Sequence, residues 1–275
     1  MCGMLDSYLM AFSKLRTDVN RNTWTEATNY RSPYKPFLLL SVMDLIAYGS
    51  VNKNYIEPSF ELTETFQGYI ALLPQMNRQA SMAYPFYYLQ SDGFWNLQPR
   101  PDTDVKPGTT ISSLKRLREC YYGAKFDNDL FPLFQMQTSR EKLRSVLIET
   151  YFSQEIQPRL WEQSVLNYES ANYSTSLLVT ADTEPPVEYA EKSTVPIEKV
   201  RDHGFRKAIT RLYDHRCALC GIKIITPEDH TVVDAAHIIP WSKSHDDRPT
   251  NGMALCKLCH WSFDEGLMAV GSEYQ

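Results

Sequence analysis

The pattern of apolar and polar positions divides the chain into a long helical stretch, a polar interruption and a short compact end. Residues 1–165 read as mostly helical. Ser32-Pro33-Tyr34-Lys35-Pro36 leads into Phe37-Leu38-Leu39-Leu40 and on to Ile46, with Gly49 just beyond. Proline at the start and glycine past the end suit a buried helix. Residues 82–97 are rich in aromatics, with Ser91-Asp92-Gly93 in the middle, which predicts a β-hairpin. Helical spacing resumes over 111–120 and 139–152, and more weakly over 154–168.

Residues 170–196 are rich in Ser, Thr, Glu and Pro without periodicity, the composition of a linker. From Ile197 a basic helix carries Lys199, Arg201, Arg206, Lys207, Arg211 and Arg216. Val232-Val233-Asp234-Ala235-Ala236-His237-Ile238-Ile239 has the β-branched content of a strand. A polar loop follows over 242–249, then a helix starting near Leu255. The expected fold class is therefore α+β. A mainly helical domain with a β-hairpin spans 1–165, a linker 166–196, and a small ββα domain 197–275.

Composition narrows the function classes. The 275 residues carry a net charge of −5, which argues against a generic nucleic-acid coat but leaves local basic patches open. No apolar run is long enough to span a bilayer, and the first residues lack the basic start and cleavage site of a signal peptide. The expected location is the cytoplasm. The last residues, from Gly266, read as a strand just beginning.

The chemistry is concentrated near the C-terminus. Four of the six cysteines form two C-x2-C pairs, Cys217/Cys220 and Cys256/Cys259, and all six histidines fall between 203 and 260. In a reducing compartment such pairs point to metal rather than disulfides. Four thiolates make a closed tetrahedral site, so the expected ion is a structural Zn2+. His260 follows the second pair directly, and Asp264 lies four residues on. On a helix that spacing puts both side chains on one face.

The order Cys217-x2-Cys220, His237, Asn251, Cys256-x2-Cys259-His260 resembles the zinc-stapled HNH nucleases. That resemblance implies a ββα-metal fold and metal-assisted hydrolysis of a DNA phosphodiester. It makes His237 the general base, Asn251 the residue that holds the loop so that the His ring is oriented, and His260 a ligand of a catalytic Mg2+, Mn2+ or similar ion. Many members place an acidic residue or His directly before the base. Here that position is Ala236, and Asp234, two residues away on the same strand face, becomes the expected further ligand with Asp264. The logic is coherent: an imidazole accepts the proton of the attacking water, and the metal relieves charge on the leaving oxygen.

Two earlier segments resemble the DNA sulfur-binding domain that accompanies HNH modules in type IV, McrA-like restriction enzymes. They are Arg31-Ser-Pro-Tyr-Lys35-Pro-Phe-Leu-Leu-Leu and Tyr84-Pro85-Phe86-Tyr-Tyr-Leu-Gln-Ser-Asp-Gly-Phe-Trp. Tyr34 stands where that family has His. The resemblance implies binding of double-stranded phosphorothioate DNA, with Tyr84 and Pro85 walling a sulfur pocket. Arg31 and Lys35 clamp the phosphate, and Lys115 or Arg116 adds a further cation. Cutting both strands implies a homodimer on DNA. Two other readings stay open: an HNH nuclease that reads methylcytosine or plain sequence, and an inactive zinc-stabilised DNA-binding protein.

Overall fold

The computed structural model describes residues 2–73, 80–101, 103, 111–179 and 195–271. It is mostly helical, with two small antiparallel strand pairs, in keeping with the expected α+β class. Among the described residues no helix is long and apolar enough to cross a membrane. The chain divides into two compact units. One holds Met1–Ser164 with Pro227–Asp229, the other Val165–Thr226 with His230–Gln275.

The first unit is built around a buried helix. After α1 (Cys2–Ser13), α2 runs over Tyr34–Ala47, and every residue from Lys35 to Ile46 is buried. A helix that is apolar on all sides must sit in a core. Around it lie α3 (Phe60–Ile70), α4 (Ala83–Tyr88), and, beyond α5 (Leu114–Cys120), α6 (Leu130–Gln135) and α7 (Gln137–Tyr151). The buried acid of α2, Asp44, is fully engaged. Arg144 of α7 approaches to 2.9 Å, Tyr69 donates at 2.7 Å and Ser164 at 2.8 Å. Such pairing is what makes a charge tolerable in an interior.

Residues 82–97 are not a hairpin. They form α4, a 3-10 turn over Leu89–Asp92, and then strand β1 (Trp95–Pro99). The burial explains why: Phe86 and Leu89 point into the core while Tyr84 and Tyr88 are exposed, a three-to-four residue period rather than two. Pro85 lies in the first turn of α4, where its missing N–H costs nothing. The expected turn is real, with Gly93 at φ +89°. Strand β1 instead pairs antiparallel with β2 (Tyr121–Phe126), Trp95 opposite Phe126.

Helix α8 runs over Gln157–Val179, so the expected linker is helical up to 179. Residues 180–194 lie outside the described residues. In the second unit, α9 (Ile197–Leu212) packs on an antiparallel pair, β3 (Val233–His237) and β4 (Gly252–Cys256), with His237 opposite Gly252. A one-turn helix, α10 (Trp241–Ser244), lies in the connection, and α11 (Lys257–Asp264) follows β4 directly. Residues 266–271 form no strand, and 272–275 lie outside the described residues.

Two glycines allow this close packing. A Cβ on Gly204 of α9 would meet the Ser170 carbonyl oxygen at 2.9 Å and the Tyr173 ring at 2.8 Å. A Cβ on Gly252 would overlap Ile209 and reach Phe205 at 3.0 Å. Gly252→Ala is accordingly expected to destabilise this unit by about 1–3 kcal/mol through overpacking. Denaturant unfolding checks this, and an unchanged midpoint would show that α9 has room to shift.

Candidate functional site

The two C-x2-C pairs converge as their spacing predicted. Cys217 and Cys220 lie in the segment after α9, Cys256 ends β4, and Cys259 is in the first turn of α11. Their four sulfurs lie within 4.8 Å of one another, with Cys220 Sγ 3.7 Å from Cys256 Sγ. A tetrahedral ion with sulfur ligands at about 2.3 Å needs edges of about 3.8 Å, so the four cysteines form a cluster able to hold a structural metal such as zinc. Gly221, at φ +72°, closes the first knuckle, and its N–H donates to the Cys217 carbonyl at 3.0 Å. Burial raises the Cys217 thiol, but hydrogen bonds from the knuckle backbone outweigh it and bring the pKa to about 6. Burial and the neighbouring sulfurs push Cys259 up to about 12. Four crowded thiols cannot all ionise without a cation among them.

His237 sits at the end of β3, partly exposed. Its ring stacks flat on Phe205 of α9 at 3.9 Å between centroids. Its Nε2 lies 2.7 Å from Asp247 Oδ1. Asp247 is buried and accepts three more hydrogen bonds: from Tyr173 Oη at 2.6 Å, Arg201 Nε at 2.8 Å and Arg201 Nη2 at 3.2 Å. Burial alone would raise this carboxyl. The bonds from His237, Arg201 and Tyr173 overcome that and hold it below its ordinary value. The Arg201 guanidinium also lies over the Trp241 ring, 3.2 Å from its centre.

Asn251 is buried and spends its amide on the connecting loop. Oδ1 accepts from the Ile239 N–H at 2.8 Å, while Nδ2 donates to the carbonyls of Ile239 at 3.0 Å and Asp246 at 2.9 Å. A side chain bridging residues 239 and 246 fixes the segment that follows His237. On α11, His260 Nε2 lies 3.8 Å from Asp264 Oδ2. Neighbouring ligands at about 2.1 Å from one octahedral cation are about 3.0 Å apart, so the two side chains would have to close by rotation to share an ion. Asp234 has a different partner: Arg206 of α9 meets its carboxylate at 2.7 Å. Among the described residues, the four cysteines are the only cluster of three or more metal-ligating side chains.

A separate site lies in the first unit. A cavity of about 500 Å³ is lined by Arg16, Thr17, Asp18, Ser32, Tyr34, Lys35, Tyr84, Pro85, Tyr88 and Ser91. It joins the start of α2, the outward face of α4 and the segment after α1. Three of the expected contacts are here: Lys35, Tyr84 and Pro85. The ammonium of Lys35 is committed, 2.6 Å from Asp92 and 3.1 Å from Ser91. Burial pulls its pKa down, against the Asp92 carboxylate. Arg31 does not line the cavity; its guanidinium stands over the Tyr151 ring at 5.8 Å. Lys115 and Arg116 are exposed on α5, and Arg116 pairs with Glu119.

Sequence patterns match both halves. The HNH endonuclease pattern matches residues 217–271, which include the four cysteines, His237, Asn251, His260 and Asp264. The ScoMcrA-like DNA sulfur-binding domain matches residues 12–168, more than half of the chain. The chain belongs to the ScoMcrA-like DNA sulfur-binding family. The sulfur-binding match holds all the lining residues of the 500 Å³ cavity, and the HNH match holds the thiol cluster, His237 and Asp247, while Tyr173, Arg201 and Phe205 precede it. No curated protein matches the chain.

The site residues that the sequence did not single out are Asp247, Tyr173 and Phe205 beside His237, and Arg16 and Tyr88 in the cavity. Asp247 stands in an Asp246-Asp247 pair within a polar loop, which reads as solvated. Tyr173 lies 74 residues from Asp247, and no local pattern reports that contact.

Proposed function

We propose that this protein is a modification-dependent restriction endonuclease of the cytoplasm that binds phosphorothioate-modified double-stranded DNA and hydrolyses nearby phosphodiester bonds. The observation that carries this reading is the presence of both matched domains on one chain. Residues 1–165 read the mark and residues 197–275 cut. The match over 12–168 favours phosphorothioate over methylcytosine or plain sequence.

A phosphorothioate replaces one non-bridging oxygen by sulfur, which is larger, softer and a poorer hydrogen-bond acceptor. Tyr34, Tyr84, Pro85 and Tyr88 give the cavity an aromatic and aliphatic wall suited to that atom. Arg16 supplies positive charge at its rim, while Lys35 shapes the site by tethering Asp92. An ordinary phosphate oxygen against such a wall loses solvation without gaining a donor, a cost of about 1–3 kcal/mol.

For cleavage, His237 takes a proton from the attacking water, and Asn251 keeps the loop beneath it in place. His260 and Asp264 would hold a divalent ion such as Mg2+ or Mn2+, which would supply stabilisation of charge on the leaving oxygen. The four cysteines hold zinc. Two copies acting together cut both strands.

Matched duplexes with and without one phosphorothioate test the reading, at a fixed stated salt concentration because phosphate contacts are salt-dependent. Binding is expected to be about 10- to 100-fold tighter to the modified duplex. Tyr84→Ala, at an exposed position, is expected to cut that ratio several-fold and to leave binding of plain DNA nearly unchanged. Equal affinity for the two duplexes in the unaltered protein would sink the proposal.

A further inference from the structure

We propose that Asp247, gripped by Tyr173 and Arg201, is the positioning residue that fixes the tautomer of His237 and makes Nδ1 the atom that accepts the proton of water. This rests on the reading of His237 as the general base.

The argument is one of donors and acceptors. Asp247 is buried, and both of its oxygens are engaged. An arginine is always a donor, and the phenol of Tyr173 is held protonated by burial and by the adjacent carboxylate. A carboxylate that receives only donors is ionised and cannot donate in return. The 2.7 Å contact to His237 is therefore Nε2–H donating to Oδ1. In the neutral ring, the hydrogen on Nε2 leaves the lone pair on Nδ1.

The geometry also fixes the ring plane. Phe205 lies parallel to the imidazole, with an interplanar angle of 1°, and the bond to Asp247 sets rotation within that plane. Asp247 is held through the residue before it and through its own side chain. Asn251 bonds the carbonyl of the preceding residue, Asp246, and α8 and α9 present Tyr173 and Arg201 to its side chain. The acceptor atom is thus in place before DNA arrives, which is what proton transfer at a set distance requires.

The proton balance closes. Water gives one proton to Nδ1, and its oxygen forms a bond to phosphorus. The phosphorus bond to the leaving oxygen breaks, and that oxygen takes a proton from solvent. The imidazolium left behind faces the Asp247 carboxylate. Arg201 lowers the tendency of that carboxylate to take the proton itself, so Asp247 stays ionised throughout.

The test uses the full chain, loaded with zinc and supplied with Mg2+ or Mn2+, on a phosphorothioate duplex. Asp247→Asn is expected to lower the single-turnover cleavage rate on the order of 10²-fold, with KM and binding of the modified duplex unchanged. Nitrogen-15 NMR of His237 in the unaltered protein, at a pH where the ring is neutral, is expected to show the hydrogen on Nε2. In Asp247→Asn the signal is expected to move to a mixture of tautomers. A hydrogen on Nδ1 in the unaltered protein overturns the proposal, and that measurement needs no variant to fold. So does an undiminished rate in Asp247→Asn when His237→Ala is dead. If His237→Ala itself still cuts, the reading of His237 as base fails instead.

Discussion

His237→Ala is expected to slow cleavage of phosphorothioate DNA by about 10²–10⁴-fold, the range typical of a lost general base, while binding of that DNA is unchanged. The size of the effect follows from position. The imidazole lies at the end of β3 and is partly exposed, so its loss opens no large cavity. Asp247 keeps Tyr173 and Arg201 as partners, and no buried charge is stranded. The fold cost is therefore small, and the lost rate belongs to chemistry. Single-turnover cleavage beside an equilibrium binding measurement separates the two. A variant that cuts at the normal rate would remove His237 from the mechanism and favour the reading of an inactive DNA-binding protein.

Removal of the cysteine-bound metal is expected to unfold the second unit and leave the first intact. The thiol cluster ties the knuckle after α9 to the junction of β4 and α11, a segment distant from it in the chain. Zinc binding in small domains contributes about 10–16 kcal/mol, as much as the whole stability of an ordinary domain, about 5–15 kcal/mol. Chelator titration should abolish the fluorescence change of Trp241 and Trp261 on heating, since both lie in this unit. The transition of the first unit, which holds Trp24, Trp95 and Trp161, should persist. Cys259→Ser should act as the chelator does. A thermal transition indifferent to both treatments would show that the sulfurs merely fill a core.

What could be read from the sequence was what is local in the chain. The C-x2-C spacing, the four-residue step from His260 to Asp264, and the apolar run of α2 behind Pro33 each need only a few neighbouring residues to be recognised. Features that depend on distant partners were read wrongly or missed. The stretch from 170, rich in Ser, Thr, Glu and Pro, looked like a linker. It is helical because Tyr173 and Leu177 are buried, and the Ser170 and Thr175 hydroxyls are satisfied within the helix by carbonyls four residues back. The basic run of α9 gave no sign of its partners: Arg201 and Arg206 are spent on Asp247 and Asp234, distant in the chain. Helix α4 escaped because six residues are too few for a helical period to stand out among so many aromatics.

The thiol cluster and the divalent-ion pair are neighbours in the most literal sense, since Cys259 and His260 are adjacent residues in one turn of α11. A metal captured by the cysteines would therefore bear directly on the turn that presents His260 and Asp264. Helix α11 already packs on β3 and β4, and a metal among the cysteines would add a second hold on the turn that carries His260. Under the proposed function, a chain stripped of its cysteine-bound metal is expected to lose cleavage while still binding the modified duplex through the first unit.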